Sequence, residues 1–397
     1  MKFLKFIAYI GCYLFYPLSF LVPRTGKYLI FGSSNGAFND NAKYLYLYAN
    51  NHVKTHRPIW ITTKRSTVAR IRRMGYEVYW VCSPLGIWYA LRGKYWFVNS
   101  YTSDVLFCLA GTAKIVNLWH GLPWKCIEFG IKKGVLAKRY SKEDKLDVFF
   151  HPACFRQPDY VASGGEMVTD IFAYSFRISK EQCLPCGYPR NYLLRCTKEE
   201  VLDFIRRYES EQTLALAGKM QSYEKVYVYM PTWRDSQKNL FAKGIDLNAL
   251  NEVMAEQNAL AIMKPHPNTT KPAHASYSNL VFMDSTADVY TILPLTDVLI
   301  TDYSSVMFDY PLVPKSSMIL YQYDYDEYIT EREFNFPLDG NIIGRKVTSF
   351  EQLLSVIKEK DYQMSAAERE NFLTKFWGET VRLNASEEIL KKVICEV

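Results

Sequence analysis

No Walker A sequence occurs in the 397 residues, and no GxGxxG follows the first apolar run, so ordinary ATPase and dinucleotide readings are poor. No DxD pair stands where a metal-dependent sugar transferase would want one. The sequence therefore requires no metal and no cofactor. The nine cysteines, at 12, 82, 108, 126, 154, 183, 186, 196 and 395, are odd in number and have no framework spacing, which points to a reducing compartment rather than a disulfide scaffold. Cys183 and Cys186 form a CxxC with no second CxxC or paired histidine, and read as two structural thiols beside a turn. RNP-like motifs, zinc-finger spacings and basic helix runs are absent, and so are solenoid-period repeats and low-complexity tracts. A net charge of +7 favours phosphates or acidic lipid surfaces as partners and does not call for nucleic acid.

What is present is a globular balance of 49% hydrophobic and 22% charged residues, in a chain longer than a single core usually supports. Two domains are the natural expectation. Aromatic residues reach 15%, compatible with stacking or membrane-adjacent surfaces and also with a tyrosine-rich core. The first 24 residues carry an apolar run from Phe6 to Val22 behind Lys2 and Lys5, slightly short for a spanning helix and followed by no small-residue cleavage site. Signal peptide, membrane anchor, interfacial helix and a helix packed on the protein itself all compete here. The cysteine pattern favours an uncleaved, membrane-associating segment over residues 1–24.

Beyond Pro23, short apolar runs alternate with helix-length intervals, the pattern of parallel sheets covered on both faces. "KYLIFGSSNG", "RPIWITT", "YEVYWVC", "YWFVNS", "AKIVNLWHG" and "DVFFHPAC" (147–154) are the expected strands of a first doubly wound domain over 25–190. "CLPCGYPRN" (183–191) reads as the crossing point. After an amphipathic segment from Thr197 to about Gln212, the alternation restarts in "KVYVYMPTWRD", "ALAIMKPHPN", "NLVFMDS", "DVLITDYSS" and "SSMILYQYD", giving a second such domain over 191–375. Residues 376–397 read as a C-terminal helix able to pack back on the first domain.

In open parallel sheets ligands bind beyond the carboxyl ends of the strands, and the chemically able residues sit there. His120 follows "IVNLW", Thr232, Arg234 and Asp235 follow "VYVYMP", His266 follows "AIMKP", and Asp302, Ser304 and Ser305 follow "VLIT". The last stretch, "VLITDYSSVMFDY", places hydroxyls and a carboxylate between a strand and a helix start. It is either a cradle for an anion or a simple N-cap at Asp302 or Ser304. Together the clusters supply donors for an anion, a guanidinium, and an imidazole able to take a hydroxyl proton, which are the parts of a phosphate-transfer site. The simplest geometry is a cleft between two sheets.

"WHGLPWK" (119–125), "GYPRN" (187–191), "MPTWRD" (230–235), "KPHP" (264–267) and "ITDYSSVMFDY" (300–310), in this order, resemble the CDP-glycerol glycerophosphotransferase family, which builds teichoic acids and related surface polymers. The resemblance covers roughly residues 27 to 380 and implies a glycosyltransferase-B-type α/β fold, two Rossmann-like doubly wound domains around a cleft, the first for the acceptor and the second for a CDP-polyol. It implies transfer of glycerol phosphate or ribitol phosphate to a hydroxyl of a lipid-linked or polysaccharide acceptor, with release of CMP, at the cytoplasmic face of the membrane. By the same resemblance His120 is the base, with Gly121 beside it. His266, Arg234, Ser304, Ser305 and Thr232 hold the donor's pyrophosphate and the charge on the leaving CMP, and Asp302 organises the site. Two stretches depart from the family pattern. Leu122 and Trp124 replace a threonine and a smaller aliphatic, and residues 331–346 lack a clean Arg-Gly and Pro-Gly. A nucleotide-sugar transferase on the same fold and a non-catalytic module binding an anionic polymer are the competing readings.

Overall fold

The computed structural model describes residues 2–232, 244–264 and 277–394. Two compact units emerge. One comprises residues 1–192, 333–335 and 376–397, the other 193–332 and 336–375.

The first unit is built on seven parallel strands: β1 (Thr25–Gly32), β2 (Arg57–Thr62), β3 (Val78–Trp80), β4 (Gly93–Val98), β5 (Lys114–Asn117), β6 (Tyr160–Ser163) and β7 (Cys183–Pro185). Their order is β3-β2-β1-β4-β5-β6-β7, so the winding reverses between β1 and β4. Strand interiors such as Leu29–Phe31, Ile59–Ile61 and Trp96–Val98 are fully buried, as a sheet covered by helices on both faces requires. Residues 147–154 are not a strand. Asp144 caps the amide of Asp147 to start a helix, Lys145–Phe150, and Asp147 pairs with Arg139 and His151. Two adjacent phenylalanines raised the apparent strand signal, but Phe149 and Phe150 pack against Phe6, Tyr9 and Tyr13 of the N-terminal helix Lys2–Ser19. The strand positions expected there are taken by Tyr160–Ser163 and by Cys183–Pro185, which pairs with β6 as the last strand of the sheet. Cys183 and Cys186 are buried thiols, and burial pushes the Cys183 thiol up to about 11.

The second unit holds six parallel strands: β8 (Lys225–Met230), β9 (Ala259–Met263), β10 (Leu280–Phe282), β11 (Val298–Thr301), β12 (Ser317–Tyr321) and β13 (Arg345–Val347), the last not apparent in the sequence. The order β10-β9-β8-β11-β12-β13 reverses between β8 and β11. Tyr227, Ile300, Ile319 and Met254 centre its core. The amphipathic segment ahead of β8 is two helices, Lys198–Tyr208 and Glu211–Met220. The first is closed by a Thr197–Glu200 capping box, and Ser210 caps the second.

Candidate active site

A doubly wound sheet opens a crevice beyond its strand ends where the winding reverses. In the first unit this point lies between β1 and β4, and a polar network fills it. Asp104 is 4% exposed, and its Oδ2 accepts the amides of Asn99 and Ser100, each at 2.9 Å, while Oδ1 accepts the Ser34 hydroxyl at 3.1 Å. The loop carrying Asp104 comes this close to β1 because Gly32 has no side chain. A Cβ there would stand 2.6 Å from the Asp104 carbonyl oxygen. Asn99 in turn donates to Ser33 Oγ at 2.8 Å and accepts the Ala42 amide at 2.8 Å.

The network fixes the two groups that meet His120. Nδ1 lies 3.2 Å from the Asn99 carbonyl oxygen and 3.3 Å from Ser100 Oγ. A carbonyl only accepts, so the proton is assigned to Nδ1 and the lone pair to Nε2, for which no partner stands among the described residues. His120 is exposed to solvent. Its pKa is lowered, with desolvation the leading cause and Arg190 adding to it, while Asp40 and the Asn99 carbonyl oppose. A lowered pKa favours the neutral imidazole, the form a general base needs.

The backbone on either side of His120 is unusual. Trp119 has φ 51° and Gly121 φ 155°, the first in a region that non-glycine residues seldom enter. Side chains hold this turn in place. Asn117 Oδ1 accepts the Trp119 amide at 2.9 Å, and Asn41, fully buried, donates to the carbonyls of Leu118 and Trp119 at 3.2 and 2.9 Å. Tyr188 donates to the Gly121 carbonyl at 3.0 Å. The Arg190 amide donates to Asn41 Oδ1, and the Arg190 guanidinium meets Asp40 Oδ1 at 2.6 Å. Tyr188 and Arg190 belong to "GYPRN", so that motif braces the "WHG" turn.

The loop after Gly121 carries the unusual Trp124. Lys125 forms an antiparallel bridge with Phe334, the Trp124 and Phe334 rings stack at 4.5 Å, and Asn335 donates to the carbonyls of Pro123 and Lys125 at 2.7 and 3.1 Å. Glu333 Oε2 accepts the amides of Lys132 and Lys133, each at 2.7 Å. Trp124 from the first departure and Phe334–Asn335 from the second are thus packed together.

In the second unit the reversal point lies between β8 and β11, where Asp302, 1% exposed, accepts the Thr232 amide at 2.9 and 3.2 Å and the Tyr303 amide. Thr301 Oγ1 donates to the Met230 carbonyl at 2.7 Å, tying the same two strands. Ser304 and Ser305 follow, half-buried, before a short helix Val306–Asp309. Neither Asp302 nor Ser304 is its N-cap. Ser305 takes that position without a side-chain capping bond. Arg234 and His266 lie outside the described residues.

Among the sequence-derived candidates, the structure places His120 and Gly121 in one turn of the first unit and joins Thr232 to Asp302 in the second. Asp40, Asn41, Asn99, Ser100, Asp104 and Arg190 escaped sequence reasoning as site residues. The signal for all but Arg190 was the density of Ser, Asn and Asp after the first and fourth strands, in "GSSNGAFNDN" and "NSYTSD", and Arg190 lies in "GYPRN".

Residues 14–394 match the family described as CDP-glycerol:poly(glycerophosphate) glycerophosphotransferase. The teichoic acid poly(glycerol phosphate) polymerase of Staphylococcus epidermidis is 27% identical over 324 residues, which is 77% of this chain and 41% of that protein, so the chain spans less than half of that relative. The teichoic acid glycerol-phosphate transferase of Staphylococcus aureus is 27% identical over 345 residues, 82% of this chain and 81% of its own. Among solved structures, the wall teichoic acid polymerase TagF, in a 15 minute soak with CDPG, aligns with a TM-score of 0.74 at 24% identity, covering 98% of this chain and 96% of that one. That likeness carries the fold, two Rossmann-like domains of the glycosyltransferase-B type. On the family match across nearly its whole length, the chain belongs to the CDP-glycerol:poly(glycerophosphate) glycerophosphotransferase family.

Proposed function

We propose that this protein transfers a polyol phosphate, glycerol phosphate or ribitol phosphate, from a CDP-polyol to a hydroxyl of a lipid-linked or surface-polysaccharide acceptor. The observation that carries the reading is His120, held through Nδ1 at a strand end with Nε2 left for a proton. The acceptor hydroxyl gives its proton to Nε2, and its oxygen attacks the phosphorus next to the polyol. The bond from that phosphorus to the bridging oxygen breaks, CMP leaves with the electron pair, and a phosphodiester results. Asp302 holds the β8–β11 junction in shape so that Ser304, Ser305 and the Thr232 segment receive the pyrophosphate, assisted by Arg234 and His266. The family's description supports a CDP-glycerol donor, and the names of the relatives support glycerol phosphate transfer in teichoic acid synthesis.

The acceptor is met at a membrane surface, on the cytoplasmic face. Among the described residues no helix is long and apolar enough to cross a membrane. The helix Lys2–Ser19 instead packs one side on Phe107 and Phe149 and leaves Ile7, Ile10, Leu14 and Leu18 exposed at helical spacing, Leu14 by 69%.

The test is CMP release from CDP-glycerol and CDP-ribitol with a lipid-linked acceptor. Turnover that disappears in His120→Asn supports the reading. UDP release from UDP-glucose, with none from either CDP-polyol, overturns it in favour of a sugar transferase.

A further inference from the structure

Within the first unit lies a pocket of about 440 Å³ lined by Phe129, Lys132, Lys138, Tyr140, Glu143 and Arg177, among others. Three of these side chains are cationic and one is acidic, and none of the three cations forms an ion pair with another described side chain. The Arg177 guanidinium lies flat over Phe129, 4.0 Å from the ring centroid. Lys132 Nζ donates to the Phe129 carbonyl at 2.9 Å, which leaves it two further protons to donate. Beside Lys132, backbone amides already engage a carboxylate of the chain itself. The successive amides of Lys132 and Lys133 converge on one carboxylate oxygen of Glu333.

Two neighbours give the pocket its place. Its wall residue Tyr140 donates to Glu128, which also accepts from Tyr101, and Tyr101 adjoins Ser100, a partner of His120 Nδ1. On the other side, the helix Gly134–Tyr140 packs on Lys145–Phe150, whose phenylalanines seat the N-terminal helix. Leu136 and Leu146 on these two helices are exposed by 40% and 63%. Contacts thus run from an exposed apolar surface through a cationic pocket to the base.

We propose that this pocket binds the phosphate or pyrophosphate that joins the acceptor's apolar carrier to its hydroxyl-bearing end. A molecule with a lipid tail, an anionic link and a terminal hydroxyl matches the apolar surface, the pocket and His120 in that order. The inference rests on the acceptor reading above and adds to it which part of the acceptor is held, and by which side chains.

The test uses the full chain and the double variant Lys132→Gln/Lys138→Gln, whose side chains are exposed, with Arg177→Gln as a second variant. Decyl pyrophosphate should raise the melting temperature of the wild type, and the shift should vanish in the double variant. In transfer assays, kcat/KM for a sugar on an alkyl pyrophosphate, relative to the same sugar on a neutral alkyl chain, should fall about 10- to 100-fold in either variant. Equal stabilisation of wild type and variants overturns the proposal. So does an unchanged acceptor ratio accompanied by weaker binding to phosphatidylglycerol vesicles, which would make the pocket a headgroup site. Stabilisation lost in the variants, with no CMP release from any wild-type reaction, would uphold the pocket and sink the transferase reading.

Discussion

Asp40→Asn separates the role of the Asp40–Arg190 pair in stability from its role in setting the base. The Arg190 side chain is 2% exposed and that of Asp40 24%, at 2.6 Å. Asparagine keeps the size and one acceptor oxygen but removes the Asp40 charge from beside a buried guanidinium. Breaking a buried pair in this way costs about 3–5 kcal/mol, and the quarter exposure of Asp40 reduces that to about 2–4 kcal/mol. For a unit of this size the loss corresponds to a fall in melting temperature of about 5–15 °C, read by calorimetry. The same change acts on His120. The Asp40 carboxylate raises the imidazole pKa and the Arg190 cation lowers it, so removing the carboxylate moves both influences the same way. In the wild type the acid limb of kcat/KM should lie below the ordinary histidine value of 6.5, and in Asp40→Asn it should move lower still. An acid limb displaced upward, or a melting temperature within about 2 °C of wild type, would refute the reasoning.

Two further outcomes follow from the same network. Burial holds Asp104 up to about 7 against an ordinary 3.8, despite the opposing bonds from Ser100, Ser34 and Asn99. The unfolded chain gives up this proton first, so its contribution to stability is complete below about pH 4 and is lost as pH rises through about 7. Asp104→Asn cannot titrate, and urea midpoints across that window should fall for wild type relative to the variant; parallel profiles would count against a protonated Asp104. Phe334→Ala removes the ring stacked on Trp124, which is itself 1% exposed, and should lower stability by about 1–2 kcal/mol while shifting tryptophan emission to the red; an unshifted spectrum would show that the Trp124 loop is held without it.

The alternation of apolar runs announced both sheets because strands buried on two faces must be continuously apolar. It misled at 147–154, where Phe149 and Phe150 serve a helix–helix contact that no local pattern distinguishes from a strand. β13 was missed because Arg345–Val347 has only Val347 buried. His120 was legible as the polar residue closing an apolar run beside glycine. Its supports were not, since Asn41, the Asn99–Asp104 loop and Arg190 come from three separate segments that follow β1, β4 and β7. Conversely, the oddities at Trp124 and at 331–346 looked unrelated along the chain, and meet where Phe334 stacks on Trp124.

Glu333–Asn335 grips the loop beside the base, and residues 376–394 complete the same unit. A ribosome making this chain must therefore finish most of the second unit before the first can close. Until then, the polar cluster around His120 and the Trp124 loop stand without their last supports, exposing aromatic surface that folding factors can bind. A nascent chain arrested just after Arg195 would hold all seven strands of the first sheet and still lack the strap that fastens the loop after Gly121.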